Sequence, residues 1–62
     1  MEYKNNVKEF RLKQKLTQEE LANKTNIDRA HLSLIENGKI DTRISTAVKI
    51  ARALDVEIGK IF

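Results

Sequence analysis

Two short stretches of helical periodicity, separated by a polar turn, occupy the centre of the chain. Thr17, followed three positions later by Glu20, forms a capping-box pattern that predicts the start of one helix. Residues 25–27, in which polar turn formers surround the apolar Ile27, interrupt that helix, and Asp28 is suited to cap the next one. Gly38 can then adopt the left-handed conformation that often ends a helix. Residues 17–38 are therefore predicted to form a helix, a tight turn and a second helix.

The flanking sequence predicts more helices and no convincing strand. Asn5 or Asn6 is expected to cap a first helix in which Phe10 anchors the core, and residues 1–4 are expected to be a frayed arm. Ser45 or Thr46 is expected to start a fourth helix. Its apolar residues follow the i, i+3, i+4, i+7 spacing of a buried helical face: Ala47, Ile50, Ala51 and Leu54.

A short apolar tail completes the pattern, with Gly59 weakening the turn or helix that it forms. The predicted fold is all-α: a compact bundle of four to five short helices in a single domain over residues 1–62. The tail residues are expected either to close the core or to form the contact of a homodimer, and the dimer candidates are Ile58, Ile61 and Phe62.

The second helix of the central unit has an outer face of small and mostly uncharged residues. At about 100° per residue, Leu32 and Ile35 fall on the side that faces the core. The opposite side carries no acidic residue, which suits a helix lying between two phosphate backbones. Helix-turn-helix units place their second helix in the major groove of DNA in this way.

Composition and charge exclude several classes of function. The chain has 62 residues, no cysteine, a net charge of +3 and a sequence pI of about 9.5. The charge favours an anionic partner, and the lack of cysteine excludes disulfides and thiolate metal sites. No apolar run is long enough for a membrane span, and no nucleophile–base set, metal-ligand cluster or glycine-rich phosphate loop is present. We therefore expect a cytoplasmic protein that is not an enzyme and needs no cofactor, metal or small-molecule ligand.

The sequence resembles the phage-repressor family of helix-turn-helix proteins, the Cro/cI-type or Xre family. The resemblance extends from about residue 7 to residue 62, and its most specific motifs are TQEELA at 17–22 and IENG at 35–38. It implies a lambda-repressor-like domain of five helices that binds operator DNA, usually as a dimer on a near-palindrome. The chain departs from the family pattern at four positions: Leu34, Thr42, Ala47 and Gly59.

The candidate DNA-contacting residues form two groups. Those expected to face base edges are Arg29, Ala30, Ser33 and Leu34. Those expected near phosphates are Thr17, Gln18, His31, Asn37, Lys39 and Arg43. For Leu34 two interpretations stay open: contact with thymine methyl groups, or packing against the loop around Ile40.

A structural ion pair is expected beneath this face. The helical spacing puts Glu36 near the core side of its helix, where an unpaired carboxylate would be costly. The resemblance implies that Arg11 is its partner. We expect a partly buried pair that holds the second helix of the unit against the first helix of the domain.

Two functions remain in view. The first is a sequence-specific regulator that binds double-stranded DNA, and phage repressors, restriction–modification controllers and plasmid or transposon regulators all fit it. The second is a protein–protein interaction module, such as an antitoxin-like partner, which would use the apolar C-terminal tail.

Overall fold

The computed structural model describes residues 2–62, and within that range the chain is helical with no strand. This confirms the all-α fold that the sequence predicts. The five helices are α1 (Val7–Lys13), α2 (Gln18–Thr25), α3 (Arg29–Glu36), α4 (Ile44–Leu54) and α5 (Ile58–Ile61).

The apolar faces of the helices meet in one core. Phe10, Leu16 and Ile27 pack against it while staying partly exposed. Burial of the apolar side chains of this core is the main favourable contribution to the folding free energy of such a small domain. The fully enclosed residues come from all five helices: Val7, Leu21, Ala22, Leu32, Ile35, Ile50, Ala51, Leu54 and Ile61.

The ends of α2 and α3 follow the capping signals in the sequence. The Thr17 hydroxyl accepts from the Glu20 backbone N–H at 3.0 Å, and the Glu20 carboxylate accepts from the Thr17 N–H at 2.8 Å. The carboxylate of Asp28 accepts from the N–H of Ala30 at 3.1 Å and so caps α3. Gly38 follows α3 with a φ of +69°. These local hydrogen bonds set where the two central helices begin and end.

The start of α1 agrees with the sequence-based expectation, whereas the start of α4 differs from it. Asn6 occupies the cap position of α1, but the side chain that accepts from the Val7 N–H is that of Asn5, at 3.0 Å. The fourth helix begins at Ile44, before both residues expected to cap it, with Arg43 at the cap position and no side-chain cap. The start is earlier because a backbone hydrogen bond to the Arg43 carbonyl already closes the first turn.

Residues 3–6 form a segment without helix or strand structure, the N-terminal strap, that is bound to the end of α3. The Tyr3 N–H donates to the Gly38 carbonyl at 3.0 Å, and the Asn5 amide donates to the Ile35 carbonyl at 2.8 Å. The expectation of a frayed arm is therefore wrong at Tyr3, whose backbone is hydrogen-bonded to the fold; Met1 lies outside the described residues. The strap gives the Gly38 carbonyl a donor and adds a second donor to the Ile35 carbonyl, which also accepts from the Gly38 N–H at 3.1 Å.

The strap is also bound to α5. The Asn6 backbone N–H donates to the Ile61 carbonyl at 2.8 Å, and its side-chain amide donates to the Lys60 carbonyl at 3.1 Å. The Ile61 side chain is 1% exposed, so it belongs to the core and is unavailable to a second molecule. The expected dimer contact is therefore wrong for Ile61, whereas Ile58 and Phe62 remain exposed.

Candidate nucleic-acid interface

Helix α3 separates a buried face from an exposed one. Leu32 and Ile35 are fully enclosed in the core. Ala30 and Leu34 lie on the opposite side and are exposed, and Ser33 is half-buried between the two faces. The surface of α3 that the helical spacing predicts to contact bases therefore faces solvent.

Leu34 keeps 45% of its surface exposed. Ile40, the loop residue named in the packing alternative, packs against the core. A large part of the Leu34 side chain is therefore available for contact with an apolar group such as a thymine methyl.

Basic and polar side chains flank the exposed face of α3. Arg29 and His31 are exposed at its N-terminal end, and Lys39 and Arg43 are exposed on the loop that follows it. Within residues 2–62, the ion pairs are Arg11 with Glu36 and Lys13 with Glu9, so the guanidinium of Arg29 does not form one with Asp28. Among the remaining phosphate candidates, Thr17 is exposed and its hydroxyl is occupied by the capping box.

A buried ion pair joins the C-terminal end of α3 to α1. The Nε of Arg11 is 2.8 Å from Oε2 of Glu36, and its Nη2 donates to Oε1 at 3.1 Å. A third donor of the guanidinium, Nη1, reaches the Leu16 carbonyl at 2.7 Å. The two side chains are 8% and 0% exposed, respectively, so the pair is desolvated and every charged atom has a partner. Because Arg11 neutralises Glu36, the only acidic residue within α3 does not repel an approaching phosphate.

The position of Gln18 corrects the expectation for its side chain. Its amide Nε2 donates to Oε1 of Glu36 at 3.2 Å and is half-buried. The amide therefore faces the ion pair instead of extending to a phosphate. At this end of α2, an anion can still interact with the backbone N–H of Gln18 and with the positive end of the helix dipole.

Asn37 also differs from its expected role near a phosphate. Its amide Nδ2 donates to the Ser33 carbonyl at 2.9 Å and lies 3.3 Å from the Ser33 hydroxyl oxygen. The side chain folds back onto the last turn of α3. It caps that turn and contacts a residue of the exposed face.

Sequence reasoning missed the strap residues that hold the C-terminal end of α3. Tyr3 and Asn5 bind carbonyls thirty or more positions away, so no local periodicity predicts those contacts. The one available signal was the pair of adjacent asparagines, which pattern rules assign to a local cap. Within residues 2–62 the structure contains no group of acidic and imidazole side chains able to hold a metal ion, and no helix long and apolar enough to cross a membrane.

Comparison with known proteins places this geometry in a family. A family model described as helix-turn-helix matches residues 7–61. An uncharacterized helix-turn-helix-type transcriptional regulator from Methanocaldococcus jannaschii is 42% identical over 59 residues, which is 95% of this chain and 89% of the relative. The immunity repressor protein of Bacillus phage phi105 is 36% identical over 55 residues, which is 89% of this chain but 38% of that protein.

Solved structures agree with the sequence comparisons. The restriction-modification controller protein C.AhdI from Aeromonas hydrophila superposes with a TM-score of 0.88 at 32% identity, over 92% of this chain and 86% of that one. The controller protein C.Esp1396I, solved as a tetramer in complex with its natural 35 base-pair operator, superposes with a TM-score of 0.76 at 37% identity, over 82% of this chain and 67% of that one. The chain belongs to the helix-turn-helix family of Cro/cI-type transcriptional regulators.

Proposed function

We propose that the protein is a sequence-specific transcriptional regulator that binds double-stranded DNA with α3 in the major groove. The observation that carries this proposal is the exposed face of α3, which presents Ala30, Ser33 and Leu34 and no unpaired acid. The buried pair behind the helix keeps that face rigid. The structural neighbour C.Esp1396I, which was solved on its operator, supports the same use of the fold.

The arrangement of charge supports docking on a duplex. Arg29 can donate two parallel hydrogen bonds to guanine or clamp a phosphate. Lys39 and Arg43 follow the C-terminal end of α3, where they can meet the backbone beside the groove. His31 is exposed at the N-terminal end of α3, where a ring N–H can donate to a phosphate. Regulation of this kind requires the DNA of the cell, so we place the protein in the cytoplasm and assign it no catalysis.

We further propose that the protein binds a near-palindromic operator as a homodimer. Within residues 2–62, four of the six exposed large apolar side chains line one groove of about 290 Å³: Tyr3, Ile44, Ile58 and Phe62. Ile44 is the most exposed of these side chains, at 81%. An exposed cluster of this kind marks an interaction surface. The C-terminal dimer surface is thus proposed to include Ile44 and to exclude the buried Ile61.

Oligomeric state tests this part of the proposal. Ile44→Lys should shift the sedimentation of the protein toward the monomer, because it places a charge within the apolar groove. Leu12→Lys is the matched control, since Leu12 is 54% exposed on α1 and does not line the groove. Equal sedimentation of wild type and Ile44→Lys over a wide concentration range would contradict the groove as the dimer contact.

Selection from a random pool of DNA duplexes tests the function itself. The wild-type protein should enrich a two-fold symmetric sequence with half-sites roughly 34 Å apart. Its affinity should fall with salt, with a log–log slope of about −0.9 for each phosphate neutralised. A protein that binds all duplexes alike would contradict the proposal.

A variant of Leu34 extends that experiment to the contact made by a single residue. Leu34→Ala should relax the preference at one base step, and replacing the contacted thymine by deoxyuridine, which lacks the methyl group, should weaken wild-type binding but not binding by the variant. Leu12→Ala serves as control because it removes an equally exposed leucine from another helix. An unchanged preference in Leu34→Ala would assign the residue no base contact.

The second candidate function is a protein–protein interaction module, antitoxin-like in its use of the apolar surface. The groove lined by Ile44 and Phe62 is the observation that favours it. Such a module would show neither sequence preference nor a steep salt dependence with DNA. The duplex selection therefore separates the two functions directly.

A further inference from the structure

We infer that Asn37 is a positioning residue for DNA specificity, which acts by fixing the Ser33 hydroxyl as a hydrogen-bond donor toward the bases. This inference rests on the proposed binding of α3 in the major groove. It assigns Asn37 to the reading of sequence instead of to phosphate contact. Ser33 then selects base edges that accept a hydrogen bond.

The orientation of the Asn37 amide follows from its partners. The Ser33 backbone carbonyl can only accept, so the Asn37 atom 2.9 Å from it must be the NH₂ nitrogen. The same nitrogen lies 3.3 Å from the Ser33 hydroxyl oxygen. Asn37 has no lone pair on that nitrogen to offer, so the Ser33 oxygen accepts in this contact and its proton points elsewhere.

The surroundings of Ser33 leave its hydroxyl proton available to an acceptor outside the protein, because the hydrogen bonds within residues 2–62 include none that this hydroxyl donates. Asn37 is the partner that residues 2–62 provide for this side chain. Its neighbours on the exposed face, Ala30 and Leu34, have apolar side chains and offer no acceptor. A hydroxyl rotates freely to suit its partners in most settings, and here one side of its oxygen is already occupied.

The consequence is a chemical preference at the base pair that Ser33 faces. Purine N7, guanine O6 and thymine O4 accept a hydrogen bond in the major groove, whereas cytosine N4 and adenine N6 donate one. An unconstrained serine serves both kinds of group and discriminates weakly. With Asn37 in place, Ser33 favours the acceptors.

Binding profiles of four proteins test this inference: wild type, Ser33→Ala, Asn37→Ala and the double variant. The position where Ser33→Ala loses preference identifies the base pair that Ser33 contacts. Asn37→Ala should reduce the preference for an acceptor at that same position by about two- to tenfold, the range of a single hydrogen bond. In the Ser33→Ala background, Asn37→Ala should change the profile no further, because the two residues act as one unit.

An isosteric variant separates donor chemistry from shape. Asn37→Asp keeps the size of the side chain, but its carboxylate accepts and would draw the Ser33 proton back toward the protein. It should therefore lose the same preference as Asn37→Ala, on top of a uniform loss of affinity from its charge. A synthetic duplex carrying a 7-deazapurine, which lacks the N7 acceptor, should reduce wild-type binding at that position more than binding by Asn37→Asp.

Asn23→Ala is the control, because Asn23 is exposed on α2 and is not among the candidate contacts. Thermal unfolding of each variant shows that it is folded before its profile is measured. An equal loss for Asn37→Ala on every duplex would reveal a phosphate contact and overturn the inference, as would additive effects in the double variant. A wild-type protein without any sequence preference would overturn the proposed function as well, so the two failures are distinguishable.

Discussion

Removal of the charge on Glu36 should destabilise the whole domain. The variant Glu36→Gln keeps the shape of the side chain but leaves the Arg11 guanidinium, 8% exposed, without a counter-charge. Breaking a buried ion pair by removing one partner costs about 3–5 kcal/mol. The remaining Arg11 bond to the Leu16 carbonyl and the slight exposure of Arg11 favour the lower end, about 3 kcal/mol.

That cost is large for a chain of 62 residues. At roughly 0.05–0.15 kcal/mol per residue, the free energy of unfolding of such a domain is about 3–9 kcal/mol. A loss of about 3 kcal/mol, at roughly 4–8 °C per kcal/mol, lowers the Tm by about 12–24 °C. Urea and thermal unfolding followed by circular dichroism measure both quantities.

The exposed pair of Lys13 and Glu9 supplies a matched control. Its atoms are 3.4 Å apart and its side chains are 63% and 58% exposed, so Glu9→Gln should change stability by less than about 0.5 kcal/mol. The combined variant Arg11→Met with Glu36→Leu should recover most of the loss, because it removes both buried charges together. Equal Tm values for Glu36→Gln and Glu9→Gln would refute the reasoning.

The remaining predictions concern backbone and capping. Gly38→Ala should cost about 1–2 kcal/mol in urea unfolding, because its φ is +69° and a Cβ would lie 3.2 Å from the Tyr3 carbonyl oxygen. Gly59→Ala is its control and should be neutral or stabilising, since a Cβ there meets nothing within 4 Å; a similar loss at both sites would contradict the role of the strap. The pKa of Glu20 lies below its ordinary value because the carboxylate accepts from the Thr17 backbone N–H, with the Thr17 side chain as the second cause. The capping box therefore stabilises the fold fully above the ordinary pKa of Glu20, and this contribution to stability is lost as the pH falls through the lowered pKa. Glu20→Gln should flatten this acid limb of the stability–pH curve, and an unchanged limb would exclude the cap as its source.

Local chemistry made much of the fold predictable. The capping box at Thr17 and the cap at Asp28 are satisfied within three residues, so the sequence alone specifies them. The same holds for Gly38, whose left-handed φ ends α3 as expected. The spacing of Leu32 and Ile35 determined which face of α3 is buried, and hence which face is available for DNA.

Contacts between distant residues were not predictable by the same means. Gln18 donates to Glu36 across 18 positions, and Asn5 donates to Ile35 across 30. From the sequence pattern alone, a polar side chain at a helix end is equally able to cap the helix, to contact a phosphate or to donate to a distant carbonyl. The choice depends on which partner the packed core brings near, as it also does for the burial of Ile61.

The N-terminal strap changes where the smallest folding unit of this protein starts. A truncation that begins at α1 would retain every helix, yet it would remove the Tyr3 N–H that donates to the Gly38 carbonyl and the Asn5 amide that is a second donor to the Ile35 carbonyl, and so weaken the hold on the C-terminal end of α3. Expression designs should therefore keep the natural residues from Tyr3 onward and separate any N-terminal fusion partner from them by a flexible spacer.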